Sequence, residues 1–129
     1  MDNRSIGIFD SGVGGLTVMK QIMNEMPHEN IIYFGDTGRV PYGTKSRDII
    51  MKYSQNDVRF LESHDVKLII IACGTASSAA LPEIKSQFKT PIIGVIEATA
   101  EAAVRATKNR KIGVIGTAGT IKIGAYENI

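Results

Sequence analysis

The single cysteine, Cys73, stands in the run Ala72-Cys73-Gly74-Thr75-Ala76-Ser77-Ser78, directly after the apolar stretch Leu68-Ile69-Ile70-Ile71. A thiol where a strand runs into a helix meets unpaired backbone amides, which stabilise a thiolate, so this is where a reactive sulfur belongs. A buried structural cysteine is the commoner fate of a free thiol, and residue type alone leaves it open. Thr75 and Ser77 either cap the following helix or hydrogen-bond a ligand. The second stretch is Asp10-Ser11-Gly12-Val13-Gly14-Gly15. Its glycines let a backbone approach a ligand, and free amides at a helix start favour an anion. It is not a dinucleotide fingerprint, because position 17 is Thr, and it is not a phosphate loop, because no Gly-Lys-Ser/Thr follows. The plainer alternative is a tight turn with Asp10 or Ser11 capping the helix. The third stretch, Gly35-Asp36-Thr37-Gly38-Arg39-Val40-Pro41-Tyr42-Gly43, is long for a strand-to-helix connection. In it Tyr42 is placed to cover a pocket and Arg39 to attract an acid, or else Arg39 pairs with Asp36 in a solvated turn. His28 and His64 fall at helix ends far from these loops, and no paired His, Cys or carboxylate spacing supports a metal site.

These residues need a scaffold that gathers them, and the periodicity supplies one. Short apolar runs at 6–9, 31–34, 68–72, 91–96 and 112–115 alternate with helical patterns at about 14–26, 45–63, 75–88 and 97–108, and a last helix begins near Ala118. Ile50, Tyr53, Val58 and Leu61 fall near one face of the second helix, and Pro82 marks a kink or a late start in the third. Continuous apolar strands separated by helices predict an α/β fold with a parallel sheet covered on both faces. Ligands in such sheets bind beyond the carboxyl ends of the strands. That rule selects the loops at 10–15, 35–43, 73–78, 97–99 and 116–120.

Ile6-Gly7-Ile8-Phe9-Asp10-Ser11-Gly12 is echoed by Ile112-Gly113-Val114-Ile115-Gly116-Thr117-Ala118 at an offset of 106 residues. Either the echo is chance likeness between two strand-to-helix turns, or residues 1–96 form a first domain and 97–129 begin a second, similar one. In the second case the counterpart of Cys73 falls well past Ile129, and the run 112–115 lacks neighbours. An unpartnered strand edge of this kind predicts a homo-oligomer or strand-swapped self-association.

Composition excludes several classes. The 129 residues are 43% hydrophobic and 22% charged, which suits one ordinary domain with a real core. A net charge of +2, from 15 basic and 13 acidic residues, leaves no electrostatic footprint for nucleic acid or a membrane surface. One cysteine excludes an intramolecular disulfide framework. No stretch reaches the roughly 20 apolar residues of a membrane helix, and Met1-Asp2-Asn3-Arg4 runs straight into a strand pattern without a leader. The expectation is a soluble protein of the reducing cytoplasm.

Ile6-Gly7-Ile8-Phe9-Asp10-Ser11-Gly12-Val13-Gly14-Gly15-Leu16-Thr17-Val18 and Tyr33-Phe34-Gly35-Asp36-Thr37-Gly38-Arg39-Val40-Pro41-Tyr42-Gly43-Thr44-Lys45-Ser46 closely resemble the bacterial glutamate racemases of the aspartate/glutamate racemase family. Ala72-Cys73-Gly74-Thr75-Ala76-Ser77, Gly94-Val95-Ile96-Glu97 and Ile112-Gly113-Val114-Ile115-Gly116-Thr117 follow in that family's order, so the resemblance spans essentially the whole chain. It implies a cofactor-independent isomerase that interconverts L- and D-glutamate, the D-enantiomer feeding peptidoglycan and so cell-wall biogenesis and cell shape. It implies two similar α/β domains around a cleft, each giving one cysteine. Cys73 matches the first thiol and Asp10 the acid that helps move its proton. Ser11, Pro41, Tyr42, Gly43, Thr75, Thr117 and Thr120 match positions that line the substrate, as does Gly74, where the family usually has an Asn whose amide contacts it.

The chemistry explains why two thiols are wanted. Racemisation removes a proton from one face of Cα and returns one to the other. Without pyridoxal phosphate as electron sink, the protein must supply two opposed acid–base groups in a site of dense hydrogen bonding. Cysteine, with an ordinary pKa of about 8.5, suits the task. A chain with one cysteine is expected to exchange a proton on one face and not to turn over. Two other expectations stand beside this one: an aspartate racemase or related two-cysteine isomerase, and a non-catalytic binding or regulatory half-protein, which Gly74 and the lone thiol favour.

Overall fold

Apolar strand residues that alternate between two covered faces dictate the centre of the molecule. The computed structural model describes residues Met1–Ile129. Strands β1 (Ile6–Asp10), β2 (Ile31–Gly35), β3 (Leu68–Ile71) and β4 (Ile92–Gly94) form one parallel sheet in the order β2-β1-β3-β4. The two central strands, β1 and β3, are the most deeply buried. Ile8 pairs with Tyr33 on one side and Ile70 on the other, which aligns the ends of β1 and β3.

The alternation divides the core. Phe9, Ile69 and Ile71 point to one face, where they pack with Ile50, Val58 and Leu61 of helix α2 (Arg47–Glu62) and with Ala76, Ala79, Leu81 and Ile84 of α3 (Gly74–Ala79) and α4 (Leu81–Ile84). Ile6, Ile8 and Ile70 point to the other, under Val18, Met19 and Ile22 of α1 (Leu16–Glu25). Each fully buried Ile or Phe contributes roughly 1.5–3 kcal/mol, so the two central strands anchor the domain.

Local chemistry sets the helix ends. Ser46 caps α2 by accepting from the Ile49 amide, Asp48 lies in its first turn and Arg59 in its last. Pro82 divides the segment read as one helix over 75–88: α3 ends at Ala79, and α4 starts with Pro82 in its first turn and stops at Ile84. Helix α5 spans Ile96–Ala106 and α6 spans Ala118–Ile123, the latter closed by Gly124 at φ 66°. No helix is long and apolar enough to cross a membrane.

The fifth strand expected at Ile112–Ile115 does not form. The segment pairs with no strand, Ile112 is 47% exposed and Ile115 fully so. An apolar run becomes a strand only where a neighbour accepts its amide and carbonyl groups, and none of the four strands does so here.

Candidate active site

The carboxyl ends of β1 and β3 deliver Asp10 and Cys73 to the same edge of the sheet. Asp10 is 7% exposed and its Oδ2 accepts the Gly12 amide at 3.0 Å, which curls the loop that follows. Neither Asp10 nor Ser11 caps α1, whose N-cap is Gly15 without a side-chain bond. The loop after β2 is pressed onto the loop after β1: a Cβ on Gly35 would lie 2.4 Å from the Gly12 carbonyl oxygen, so only glycine fits. Tyr33 donates to that same carbonyl at 3.0 Å. Burial, with the nearby Asp10 and Cys73 adding to it, pushes the Tyr33 phenol up to about 12, so it remains a donor.

Cys73 is 5% exposed and is itself the N-cap of α3. Its Sγ accepts the Ala76 amide at 3.4 Å and donates to Ser11 Oγ at 3.6 Å. The capping expected of Thr75 or Ser77 therefore falls to the sulfur. Ser77 Oγ instead donates to the Ile71 carbonyl and accepts from the Val95 amide, tying β3 to the start of α5. Thr75 Oγ1 lies 2.8 Å from Thr117 Oγ1, which caps α6 and lies 3.1 Å from Thr120 Oγ1. A chain of three hydroxyls thus spans α3 and α6.

Together these residues enclose a cleft of about 420 Å³ lined by Asp10, Ser11, Gly12, Cys73, Gly74, Thr75, Thr117 and Thr120, with Val13, Gly14, Val40, Ile115, Gly116 and Tyr126 completing it. A thiol, a carboxylate and four aliphatic hydroxyls around one hollow can move a proton and hold a small polar ligand. A larger hollow of about 710 Å³ between α5, residues 110–115 and the last residues of the chain shares only Ile115 and Tyr126 with this cleft and contains no thiol.

Pro41, Tyr42 and Gly43 are not among the lining residues. Tyr42 does not cover the cleft: its ring is 1% exposed, because the hydroxyl is held between the carboxylates of Asp36 and Asp57. Gly43 backs the cleft wall, where its Cβ would fall 2.6 Å from the Thr117 Cβ. Arg39 takes the plainer of its two expected roles, pairing with Asp36 at 2.7 Å, and it also reaches Asp57 at 2.9 Å. Asp57 was not singled out from sequence, although an acid on the buried stripe formed by Ile50, Ser54, Val58 and Leu61 was a visible signal. Val13, Val40 and Tyr126 were also missed; as apolar or lone aromatic loop residues they carry no chemical signature.

Residues 11–129 match the family model of the Asp/Glu/hydantoin racemases. The chain is 51% identical over 123 residues to the glutamate racemase of Geobacter metallireducens, covering 95% of this chain and 46% of that protein. The glutamate racemase of Aquifex pyrophilus superposes with a TM-score of 0.93 at 50% identity, over 96% of this chain and 49% of that one. That of Francisella tularensis, solved in complex with D-glutamate, gives a TM-score of 0.90 at 45% identity, over 99% and 48% respectively. The chain spans about half the length of the curated relatives it matches.

Proposed function

The chain belongs to the Asp/Glu/hydantoin racemase family, and from that premise we propose that its cleft forms one wall of the active site of an L-/D-glutamate racemase. What supports this reading above all is the meeting of Cys73 with Asp10, Ser11, Thr75, Thr117 and Thr120 around one hollow at the carboxyl edge of the sheet. Cys73 removes or returns the α-proton on one face of Cα. The Ala76 amide already points at Sγ, so the sulfur keeps a donor after it changes protonation state. Asp10 helps pass that proton on, and the hydroxyls of Ser11, Thr75, Thr117 and Thr120 hold the charged ends of the amino acid. These 129 residues contain no second thiol, so the opposite face needs a base from elsewhere. In this reading the enzyme works without a cofactor in the cytoplasm and its D-glutamate feeds peptidoglycan; residues 1–96 are the first domain and 97–129 open the second.

Incubating the chain with each glutamate enantiomer in D₂O tests the reading. The expected result is deuterium at Cα of one enantiomer, retained configuration, and no net racemisation. Turnover of L- to D-glutamate by a strict monomer would overturn the one-base assignment. No exchange together with no glutamate binding would favour the non-catalytic binding reading, for which Gly74 is the supporting feature.

The unpaired run Ile112–Ile115, with Ile115 fully exposed, supports self-association of the 129-residue chain. Light scattering across a concentration series is expected to show mass rising with concentration, and Ile115→Asp to reduce it. A clean monomer at high concentration would remove this proposal.

A further inference from the structure

Tyr42 Oη lies 2.5 Å from Asp36 Oδ2 and 2.6 Å from Asp57 Oδ2. A phenol has one proton to donate, and an ionised carboxylate has none. With both acids ionised, one of these contacts would set two lone-pair oxygens against each other. Arg39 does not relieve it: Nε donates to Asp36 Oδ2 at 2.7 Å and Nη2 to Asp57 Oδ1 at 2.9 Å. Asp57 Oδ2 is left with Tyr42 as its only partner, so the missing proton belongs there. The chain then runs from Asp57 Oδ2–H to Tyr42 Oη, and from Tyr42 Oη–H to Asp36 Oδ2. It balances one cation, Arg39, against one anion, Asp36, around a carboxyl that is 0% exposed.

We infer that Asp57 is a positioning residue, which as a neutral carboxylic acid locks the 36–43 loop onto α2 and so holds Gly43 against Thr117 in the cleft wall. The lock is a property of the fold; only the purpose of the wall rests on the racemase reading. Burial, helped by Asp36 and opposed by Arg39 and by the bond that the Tyr42 hydroxyl would donate to an ionised Asp57, pushes the Asp57 carboxyl up to about 7. The charged and titratable groups that face it are Asp36, Arg39 and Tyr42, all from the one loop. Of the elements packed on α2, α3 has no ionisable side chain, while Asp10 of β1 and Tyr33 of β2 are bonded to Gly12. Because the folded value lies above the ordinary one, the stability this proton confers is full below the usual carboxylate range. It is lost as pH rises through about 7.

Carboxyl and amide NMR of the 129-residue chain, wild type and variants, between about pH 4 and 8.5 tests the inference. One carboxyl signal, missing in Asp57→Asn, is expected to titrate near 7 instead of the ordinary 3.8, with the Gly43 and Thr117 amides shifting at the same midpoint. In Asp57→Asn the side-chain amide replaces the O–H donor and its carbonyl still accepts from Arg39. Those amides should therefore hold their low-pH wild-type positions at every pH, without the transition. Asp57→Leu should displace them throughout. An Asp57 midpoint near 3.8, or displacement of Gly43 and Thr117 in a folded Asp57→Asn, overturns the inference. If Asp57→Leu does not fold, the comparison of wild type with Asp57→Asn decides alone. Added D-glutamate reports separately: no glutamate-dependent shift in any variant counts against the racemase reading and leaves the carboxyl midpoint as measured.

Discussion

Replacing Cys73 with serine is expected to lower Cα deuterium exchange into glutamate by about 10²–10⁴-fold, the range that a positioned acid–base group contributes. The substitution isolates the chemistry from the fold. Sγ makes two contacts, accepting from the Ala76 amide and donating to Ser11 Oγ, and a hydroxyl can make both. Thermal unfolding of Cys73→Ser should therefore stay close to wild type while exchange falls. Exchange within tenfold of wild type would mean that another group on this cleft, Asp10 foremost, takes the proton directly.

The second large effect is a gain. A Cβ built on Gly74 meets no atom within 4 Å, although the residue lines the cleft at the first position of α3. Gly74→Asn is thus sterically free, and asparagine is slightly better tolerated in a helix than glycine. The family resemblance implies an asparagine at this position whose side-chain amide contacts substrate. A hydrogen bond to a charged group is worth about 1.5–3 kcal/mol, so glutamate should bind about 10–100-fold more tightly to Gly74→Asn in calorimetric titration. Unchanged affinity would show that ligands do not approach α3 from this side.

Much of this arrangement was legible in the residues. The apolar runs at 6–9, 31–34 and 68–71 became the three longest strands because each is apolar enough to be covered on both sides. Their order followed from neither length nor composition. Cys73 and Thr75 stand out from their own loop, Asp10, Ser11, Gly74, Thr117 and Thr120 come from the family resemblance, and the structure gathers all seven around one hollow. The misjudged elements share a cause. Ile112–Ile115 has the composition of a strand, but strands are completed by partners that local sequence does not record. Tyr42 has the composition of a pocket lid, but Asp57, 15 residues away, draws its hydroxyl inward. Capping of α3 is one of two roles that residue type offers Thr75 and Ser77, yet backbone direction at the end of β3 brings Sγ within reach of the Ala76 amide, and the sulfur takes it.

The hydroxyl contact between Thr75 and Thr117 joins positions 42 residues apart. It indexes the far wall to the helix that bears the thiol, not to the linker that precedes it. Breathing of α5, or slack in residues 107–116, is thereby decoupled from the spacing across the hollow. The width of the hollow is set where Thr117 meets Thr75 on one side and Gly43 on the other, not by the chain that connects α5 to α6.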